Sequence, residues 1–87
     1  MAASQPSLIQ IYARNVEHHA FMRGWSSPKL AEELGVTLNT LTRIRYARSR
    51  YIDPDVFSEL LRVFGCTPND LLLPFPGIDY SSEIHPR

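Results

Sequence analysis

Four side chains between residues 38 and 43 have the types needed to recognise nucleotide bases. If this segment is helical, they share its outward face and provide an apolar group, an amide, a hydroxyl and a guanidinium. In that position an arginine can donate two hydrogen bonds to guanine, an asparagine can pair with adenine, and a leucine can contact the methyl group of thymine. The predicted base-contacting residues are Leu38, Asn39, Thr42 and Arg43.

Each of these residues also has a simpler interpretation. Arg43 could contact a phosphate or lie in solvent, and Asn39 occupies a first helical turn, where polar residues are favoured locally. Leu38 could be an ordinary exposed leucine, and Thr42 could bind a phosphate or water. Together, however, the four form a face suited to base recognition.

Two short helices are needed to present this face. Gly35 ends the first, predicted over 28–34, and Thr37 caps the second, predicted over 38–45, by accepting a hydrogen bond from a free amide of the first turn. Helices joined by so short a turn must cross, which is the helix-turn-helix arrangement, in which the second helix lies in the DNA major groove. The inward apolar positions are Leu30, Ala31 and Leu34 in the first helix and Leu41 and Ile44 in the second.

Charge is distributed unevenly along the chain, although its formal net charge is +0. Residues 36–52 contain four arginines and no acid, a charge of +4, whereas residues 53–87 contain two arginines and six acids, a charge of −4. The basic stretch coincides with the second helix of the pair and the loop after it, where a phosphate backbone would lie. In and just before this stretch, the residues predicted to contact phosphate are Lys29, Thr37, Thr40, Arg45, Arg48 and Arg50.

Three further helices complete an all-α fold of five helices. The first is predicted over 8–23, the fourth after Asp53 as its N-cap with Pro54 at its first position, and the fifth after Thr67. Residues 46–52 are predicted to form an exposed loop, and Trp25 to anchor the turn after the first helix. The inward positions are predicted to be Leu8, Ile11 or Tyr12, Val16, His19 and Ala20 in the first helix, and Val56 or Phe57, Leu60, Leu61 and Phe64 in the fourth.

The 87 residues are expected to form one domain over 1–73, followed by a tail over 74–87 that is disordered or docked on the body or on a partner chain. The apolar run at residues 71–73 cannot span a bilayer, and the first residues lack the pattern of a secretory signal, so a cytoplasmic protein is expected. Cys66 is the single cysteine, expected to be a buried thiol, and it excludes an internal disulfide. Adjacent His18 and His19 point in different directions on a helix, and no other ligand stands at a suitable spacing, so we expect no metal site. Ser26 and Ser27 lack the context of a nucleophile elbow and the chain has no glycine-rich phosphate loop, so we expect no cofactor and no catalytic activity.

Two strings extend the pattern of the helix pair. They are Leu-Ala-x-x-Leu-Gly-Val-Thr over 30–37 and Phe-x-x-Leu-Leu-x-x-Phe-Gly-Cys-Thr-Pro-Asn-Asp-Leu-Leu over 57–72. Together they resemble the Cro and lambda-repressor class of helix-turn-helix domains, the XRE family, over about residues 8–73. The resemblance implies a compact five-helix bundle that binds palindromic double-stranded DNA operators as a homodimer and controls transcription, usually by repression. It also implies that Leu38, Asn39 and Arg43 face bases, that Ser27 contacts a phosphate, and that the protein is of bacterial or phage origin.

Two positions depart from the pattern of that family. Such domains often pair an arginine in the first helix with a glutamate at the end of the recognition helix, whereas this chain has Ala20 and Arg45 there. Since both partners have changed, no buried charge is left uncompensated, and we expect Arg45 to turn towards the DNA backbone. Ser27 replaces the glutamine that is usual at its position, which implies a shorter phosphate contact or none.

The C-terminal half suggests a dimer and an alternative function. One short helix reads few base pairs, so a two-fold dimer is expected, with its recognition helices about 34 Å apart. The predicted dimer contacts are Phe75, Ile78 and Tyr80, which could instead cover their own core. The negative charge of residues 53–87 favours, as the alternative, a protein-interaction module such as an antitoxin that binds a basic toxin, with DNA binding secondary or lost.

Overall fold

The computed structural model describes residues 7–48, 50–78 and 80. Over these residues it contains five helices, which confirms the expected all-α fold: α1 (Leu8–Met22), α2 (Ser27–Leu34), α3 (Leu38–Arg45), α4 (Pro54–Phe64) and α5 (Pro68–Leu72). The turn at residues 35–37 joins α2 to α3 and forms the expected tight pair. Among the helices described, none has the length and apolar character needed to cross a bilayer.

Hydrogen bonds between near neighbours set the ends of the helices. The hydroxyl of Ser7 accepts from the amide of Gln10 at 3.1 Å, and the side-chain oxygen of Gln10 accepts from the amide of Ser7 at 2.8 Å, which starts α1. The carboxylate of Asp53 accepts from the amide of Asp55 at 2.8 Å and starts α4. Gly35 ends α2 with a φ of 72°, a left-handed conformation that glycine adopts without strain. These signals are local, so the predicted bounds of the first three helices lie within about one residue of those observed.

The core lies where the inner faces of the five helices meet. Burial of each large apolar side chain there contributes roughly 1.5–3 kcal/mol. The inward positions predicted for α2 and α3 are all buried, which confirms that these two helices cross with their apolar faces on the core. The buried cluster consists of Tyr12, Val16, Ala20, Leu30, Ala31, Leu34, Leu41, Ile44, Leu60, Phe64 and Leu71.

Differences from the predicted core occur on α1. Leu8 was expected to face inward but is exposed, because it occupies the first position of the helix. His19 is half-buried, with its ring stacked on Phe64 at a centroid separation of 5.2 Å. Burial, followed by the charge of Arg23, lowers the pKa of His19. Asn15, which was not predicted to face inward, is fully buried.

Asn15 joins α1 to the C-terminal segment. Its amide nitrogen donates to the carbonyl oxygens of Leu71 and Leu73 at 3.0 and 2.9 Å, and its oxygen accepts from the Tyr80 hydroxyl. The same hydroxyl accepts from the amide of Phe75 at 3.0 Å. Tyr80 is only 7% exposed, so the prediction that it contacts a dimer partner is wrong. Because both hydrogen-bond partners of its hydroxyl lie in its own chain, Tyr80 instead covers the core of its own domain.

The remaining described residues of the predicted tail also lie against the body. Phe75 is half-buried, and its ring centroid lies 5.8 Å from that of His18 and 5.9 Å from that of His19. Ile78 is half-buried as well. Contacts of Phe75 and Ile78 with a second copy of the chain stay a prediction. Residues 79 and 81–87 of the tail lie outside the described part of the chain.

Trp25 packs at the turn between α1 and α2, as predicted. Its ring is half-buried, with its centroid 6.1 Å from that of Phe64. Cys66 is half-buried rather than buried, and it packs against the edge of the core just after the Gly65 cap of α4. Even so, burial raises the pKa of its thiol.

Candidate nucleic-acid interface

One apolar face and one polar cap hold α3 on the body of the domain. Leu41 and Ile44 are buried in the core. At the start of the helix, the hydroxyl oxygen of Thr37 accepts from the amide of Thr40 at 3.2 Å, and the Thr37 hydroxyl donates to that of Thr40 at 3.0 Å. Because its inner face and its first turn are both held, α3 presents its outer face as a fixed surface.

The outer face of α3 carries the residues predicted to contact bases. Leu38 is 47% exposed, and Asn39 and Arg43 are exposed as well. Thr42 is half-buried, and its hydroxyl donates to the carbonyl oxygen of Leu38 at 2.9 Å. This bond uses the hydroxyl hydrogen inside the helix, so Thr42 can offer a ligand only its methyl group and an acceptor. The structure thus brings the four side chains together on one helix.

Three arginines near this face have no carboxylate partner among the residues that the structure describes. Arg43, Arg48 and Arg50 are exposed, and none of them forms an ion pair with a described acid. Their charge is therefore available to a phosphate backbone. The predicted exposed loop is only partly exposed, since three of its residues are half-buried: Tyr46, Ala47 and Ile52. Packing of Ile52 on the core anchors the loop that carries Arg48 and Arg50.

Arg43 also borders a shallow depression between α3 and the start of α4. Its volume is about 200 Å³, and Tyr51 and Asp53 line it beside Arg43. Tyr12 lines it as well, and its pKa is raised first by burial and then by the Asp53 carboxylate. Sequence reasoning assigned Asp53 only to the N-cap of α4 and did not place it in the same depression as Arg43, because that depends on the path of the loop between α3 and α4.

The N-terminus of α2 carries further residues predicted to contact phosphate. Ser26 is the N-cap, with its hydroxyl accepting from the amide of Lys29 at 3.4 Å. Ser27 follows as the first helical residue and is half-buried. Lys29 pairs with Glu33, with Nζ 2.9 Å from Oε2, and this hydrogen bond together with the charge of Glu33 raises the pKa of Lys29. On contacting a phosphate, Lys29 would therefore exchange one anionic partner for another.

Arg45 is held inside the domain. Its Nη2 donates to Oε2 of Glu17 on α1 at 2.8 Å, and its Nη1 donates to the hydroxyl of Ser27 on α2. The expectation that Arg45 lacks an internal partner and turns towards the DNA backbone is wrong. An ion pair between the first and the recognition helix is present with its charges exchanged, since the acid lies on α1 and the base on α3.

Glu17 is the residue that sequence reasoning missed at this position. Only Ala20 was compared with the usual arginine, but Glu17 precedes Ala20 by three residues and so lies on the same side of α1. That spacing was the available signal. The Glu17 carboxylate also lies 3.4 Å from Nη1 of Arg14, so two guanidinium groups share it.

The part of the chain described here contains no group of three or more His, Cys, Asp or Glu side chains placed to hold a metal ion. The adjacent rings of His18 and His19 lie 6.0 Å apart at an interplanar angle of 71°. Each of them packs against an aromatic ring, that of Phe75 or Phe64. Both rings thus make aromatic packing contacts, and Nδ1 of His19 also lies 3.4 Å from Nη1 of Arg23.

Comparisons with known proteins agree with this geometry. A family model described as a Cro/C1-type HTH DNA-binding domain matches residues 22–76, more than half of the chain. Among solved structures, a hypothetical transcription factor, NHTF, from Neisseria is similar at a TM-score of 0.72 and 20% sequence identity, over 85% of this chain and 88% of that chain, and therefore has the same fold. No curated protein sequence matches the chain. The chain belongs to the Cro/C1-type family of helix-turn-helix DNA-binding domains.

Proposed function

We propose that this protein is a sequence-specific transcriptional regulator that binds double-stranded DNA with α3 in the major groove. The observation that carries the proposal is the outer face of α3, where Leu38, Asn39 and Arg43 are exposed together. Arg48 and Arg50 follow this face without a described carboxylate partner. A single helix fits the major groove, and arginine and asparagine are the side chains that distinguish guanine and adenine there.

The proposal assigns two kinds of contact. The residues assigned to bases are Leu38, Asn39, Thr42 and Arg43. The residues assigned to phosphates are Ser27, Lys29, Thr37, Thr40, Arg48 and Arg50. Arg45 is left out, because Glu17 and Ser27 already engage its guanidinium, and its assigned role is to hold α3 against α1 and α2.

Replacement of Arg43 tests the base contact. Arg43→Ala is expected to weaken binding to the preferred site by about 1–3 kcal/mol and to relax discrimination at one base pair. Arg50→Ala removes the same charge from the loop after α3 and is the matched control, expected to weaken binding to all sequences to a similar degree. Sites selected from random double-stranded DNA, followed by affinity measurements on single-base variants of those sites, separate the two effects. Equal losses with unchanged discrimination in both variants would refute the assignment.

The phosphate contacts predict a dependence on salt. If about three basic residues of each subunit neutralise phosphates, the logarithm of the association constant should fall with the logarithm of salt concentration with a slope of roughly −3 per subunit. Arg50→Ala should make this slope shallower by about one. A slope that Arg50→Ala does not change would remove Arg50 from the phosphate contacts.

We further propose that the protein acts as a homodimer on a palindromic operator and represses transcription. A second copy places a second α3 about 34 Å away, one turn of DNA, and doubles the number of base pairs that are read. Phe75 and Ile78 are half-buried apolar residues near the C-terminus that a second copy could cover further. Sedimentation of the free protein and of its complex with a selected site, together with the symmetry of that site, tests the dimer. Transcription from a promoter that overlaps the site distinguishes repression from activation.

A protein-interaction module is the competing function. Its support is the excess of acids in residues 53–87, of which Asp53 and Asp55 are exposed at the start of α4. Purification with a stoichiometric basic protein, combined with no binding to random DNA at low salt, would favour it over DNA recognition.

A further inference from the structure

A cavity of about 380 Å³ lies between α1 and the first turn of α2, apart from the outer face of α3. We call it the α1–α2 cavity. Its apolar wall includes Phe21, Trp25 and Leu30, and its charged wall includes Arg14, Glu17 and Arg45. Pockets that bind small molecules have volumes of about 300–1,000 Å³ and combine apolar walls with a few polar groups. The α1–α2 cavity has both properties.

The charged wall has more positive than negative charge. Oε2 of Glu17 lies 2.8 Å from Nη2 of Arg45, and Oε1 of the same carboxylate lies 3.4 Å from Nη1 of Arg14. Two guanidinium groups therefore share one carboxylate, which leaves one positive charge in excess. Nε of Arg14 is buried and has no hydrogen-bond partner among the described residues. This nitrogen is closed off from solvent, so what an anion entering the cavity would meet is the excess positive charge of the Arg14 and Arg45 guanidinium groups.

The apolar wall is unusually open at one residue. Phe21 is 77% exposed, and it lines the same cavity as the half-buried ring of Trp25. A flat apolar group inserted into the cavity would cover Phe21 and gain contact with Trp25. An inorganic phosphate or a DNA phosphate would use only the charged wall and would leave this aromatic surface in water.

We propose that the α1–α2 cavity binds a small organic anion that joins an aromatic ring system to a carboxylate. The carboxylate accepts hydrogen bonds from Arg14, and the rings lie against Phe21 and Trp25. Because Arg45 links α1, α2 and α3, an anion that competes with Glu17 for Arg45 also alters the support of α3. The resulting effect on DNA affinity rests on the proposed function, whereas binding of the anion does not.

Titration of the full chain with 2-naphthoate tests the site. Trp25 is the single tryptophan, so its indole N–H gives one resonance that reports on the cavity in ¹⁵N-labelled protein. We expect a saturable shift of this resonance with 2-naphthoate and none with 2-naphthamide, which has the same rings without the charge. A similar response to the amide, or displacement of 2-naphthoate by an equal concentration of inorganic phosphate, would overturn the proposal.

Variants assign the two walls. Arg14→Gln should weaken the affinity for 2-naphthoate about tenfold, the loss expected for a hydrogen bond to a charged group. Phe21→Ala, at a residue exposed enough for the fold to be kept, should weaken it several-fold. Arg62→Gln removes an equal charge from an exposed residue that does not line the cavity, and it should have no effect. If Arg14→Gln and Phe21→Ala are folded by circular dichroism and bind like the wild type, the site does not exist.

The same ligand separates this proposal from that of DNA binding. Measuring DNA affinity with and without saturating 2-naphthoate gives the coupling between the two sites, which must be reciprocal. A chain that binds 2-naphthoate but no DNA would refute the proposed function and keep the cavity site. A chain that binds DNA but gives no response at Trp25 would refute the cavity site and leave the proposed function standing.

Discussion

Replacing Asn15 tests whether the polar contacts of one buried side chain hold the C-terminal segment on the domain. Asn15 is 0% exposed, donates to the carbonyl oxygens of Leu71 and Leu73, and accepts from the hydroxyl of Tyr80. Asn15→Ala removes all three hydrogen bonds at once. It leaves the carbonyl oxygen of Leu71 and the Tyr80 hydroxyl without this partner in the buried core, and the carbonyl oxygen of Leu73 without it in a partly buried position.

The expected loss of stability follows from this count. A hydrogen bond inside a protein contributes about 0.5–1.5 kcal/mol net, so three of them give about 3 kcal/mol. A small domain has a total unfolding free energy of roughly 5–15 kcal/mol. Asn15→Ala should therefore remove a large part of the stability of the domain and lower its Tm by about 12–24 °C. Tyr80→Phe removes one of the three bonds to Asn15 and also the bond that the Tyr80 hydroxyl accepts from the Phe75 amide, so it should lower the unfolding free energy by about 2 kcal/mol.

Urea unfolding followed by circular dichroism measures both variants. Tyr51→Phe is the matched control for the hydroxyl, because Tyr51 is exposed and should tolerate the change. The double variant Asn15→Ala with Tyr80→Phe should lose less unfolding free energy than the sum of the losses of the two single variants, because both substitutions remove the bond between Asn15 and Tyr80. An unfolding free energy of Asn15→Ala within about 0.5 kcal/mol of the wild type would refute the reasoning, because an ordinary surface substitution has an effect of that size.

Two further predictions concern charge. In a double-mutant cycle with Glu17→Gln and Arg45→Gln, the coupling in unfolding free energy should be about 0.5–1 kcal/mol. This is the range for an ion pair whose side chains are partly exposed, here 39% for Glu17 and 27% for Arg45. A coupling of zero would mean that this pair does not hold α3. The pKa of His19 is lowered in the folded state, by burial and then by Arg23, so the unfolded chain takes up the proton first. Stability should therefore fall as the pH drops below the ordinary pKa of 6.5 and level off below the pKa of His19 in the folded state. In His19→Gln, the urea midpoint should vary less with pH between about pH 7 and that folded pKa. Matching pH profiles for the variant and the wild type would contradict this.

The sequence alone was sufficient to place the helices and the exposed outer face of α3. Thr37 and Asp53 start helices and Gly35 ends one through hydrogen bonds and backbone angles within a few residues, so their effect can be predicted without knowledge of the fold. The exposed side of α3 followed from the same local information, because Leu41 and Ile44 fix which side faces the core.

Only the tertiary structure decided which distant polar groups meet. The Arg45–Glu17 pair joins residues 28 apart, and the Tyr80–Asn15 bond joins residues 65 apart. Each depends on how α1 lies against the rest of the chain. Helical spacing indicates which residues share a face of one helix. Which residue of another helix lies opposite depends on the angle at which the two helices cross and on how far one is shifted along the other. For this reason the sequence predicted Arg45 at a DNA contact and Tyr80 at a dimer contact, whereas packing places both against α1.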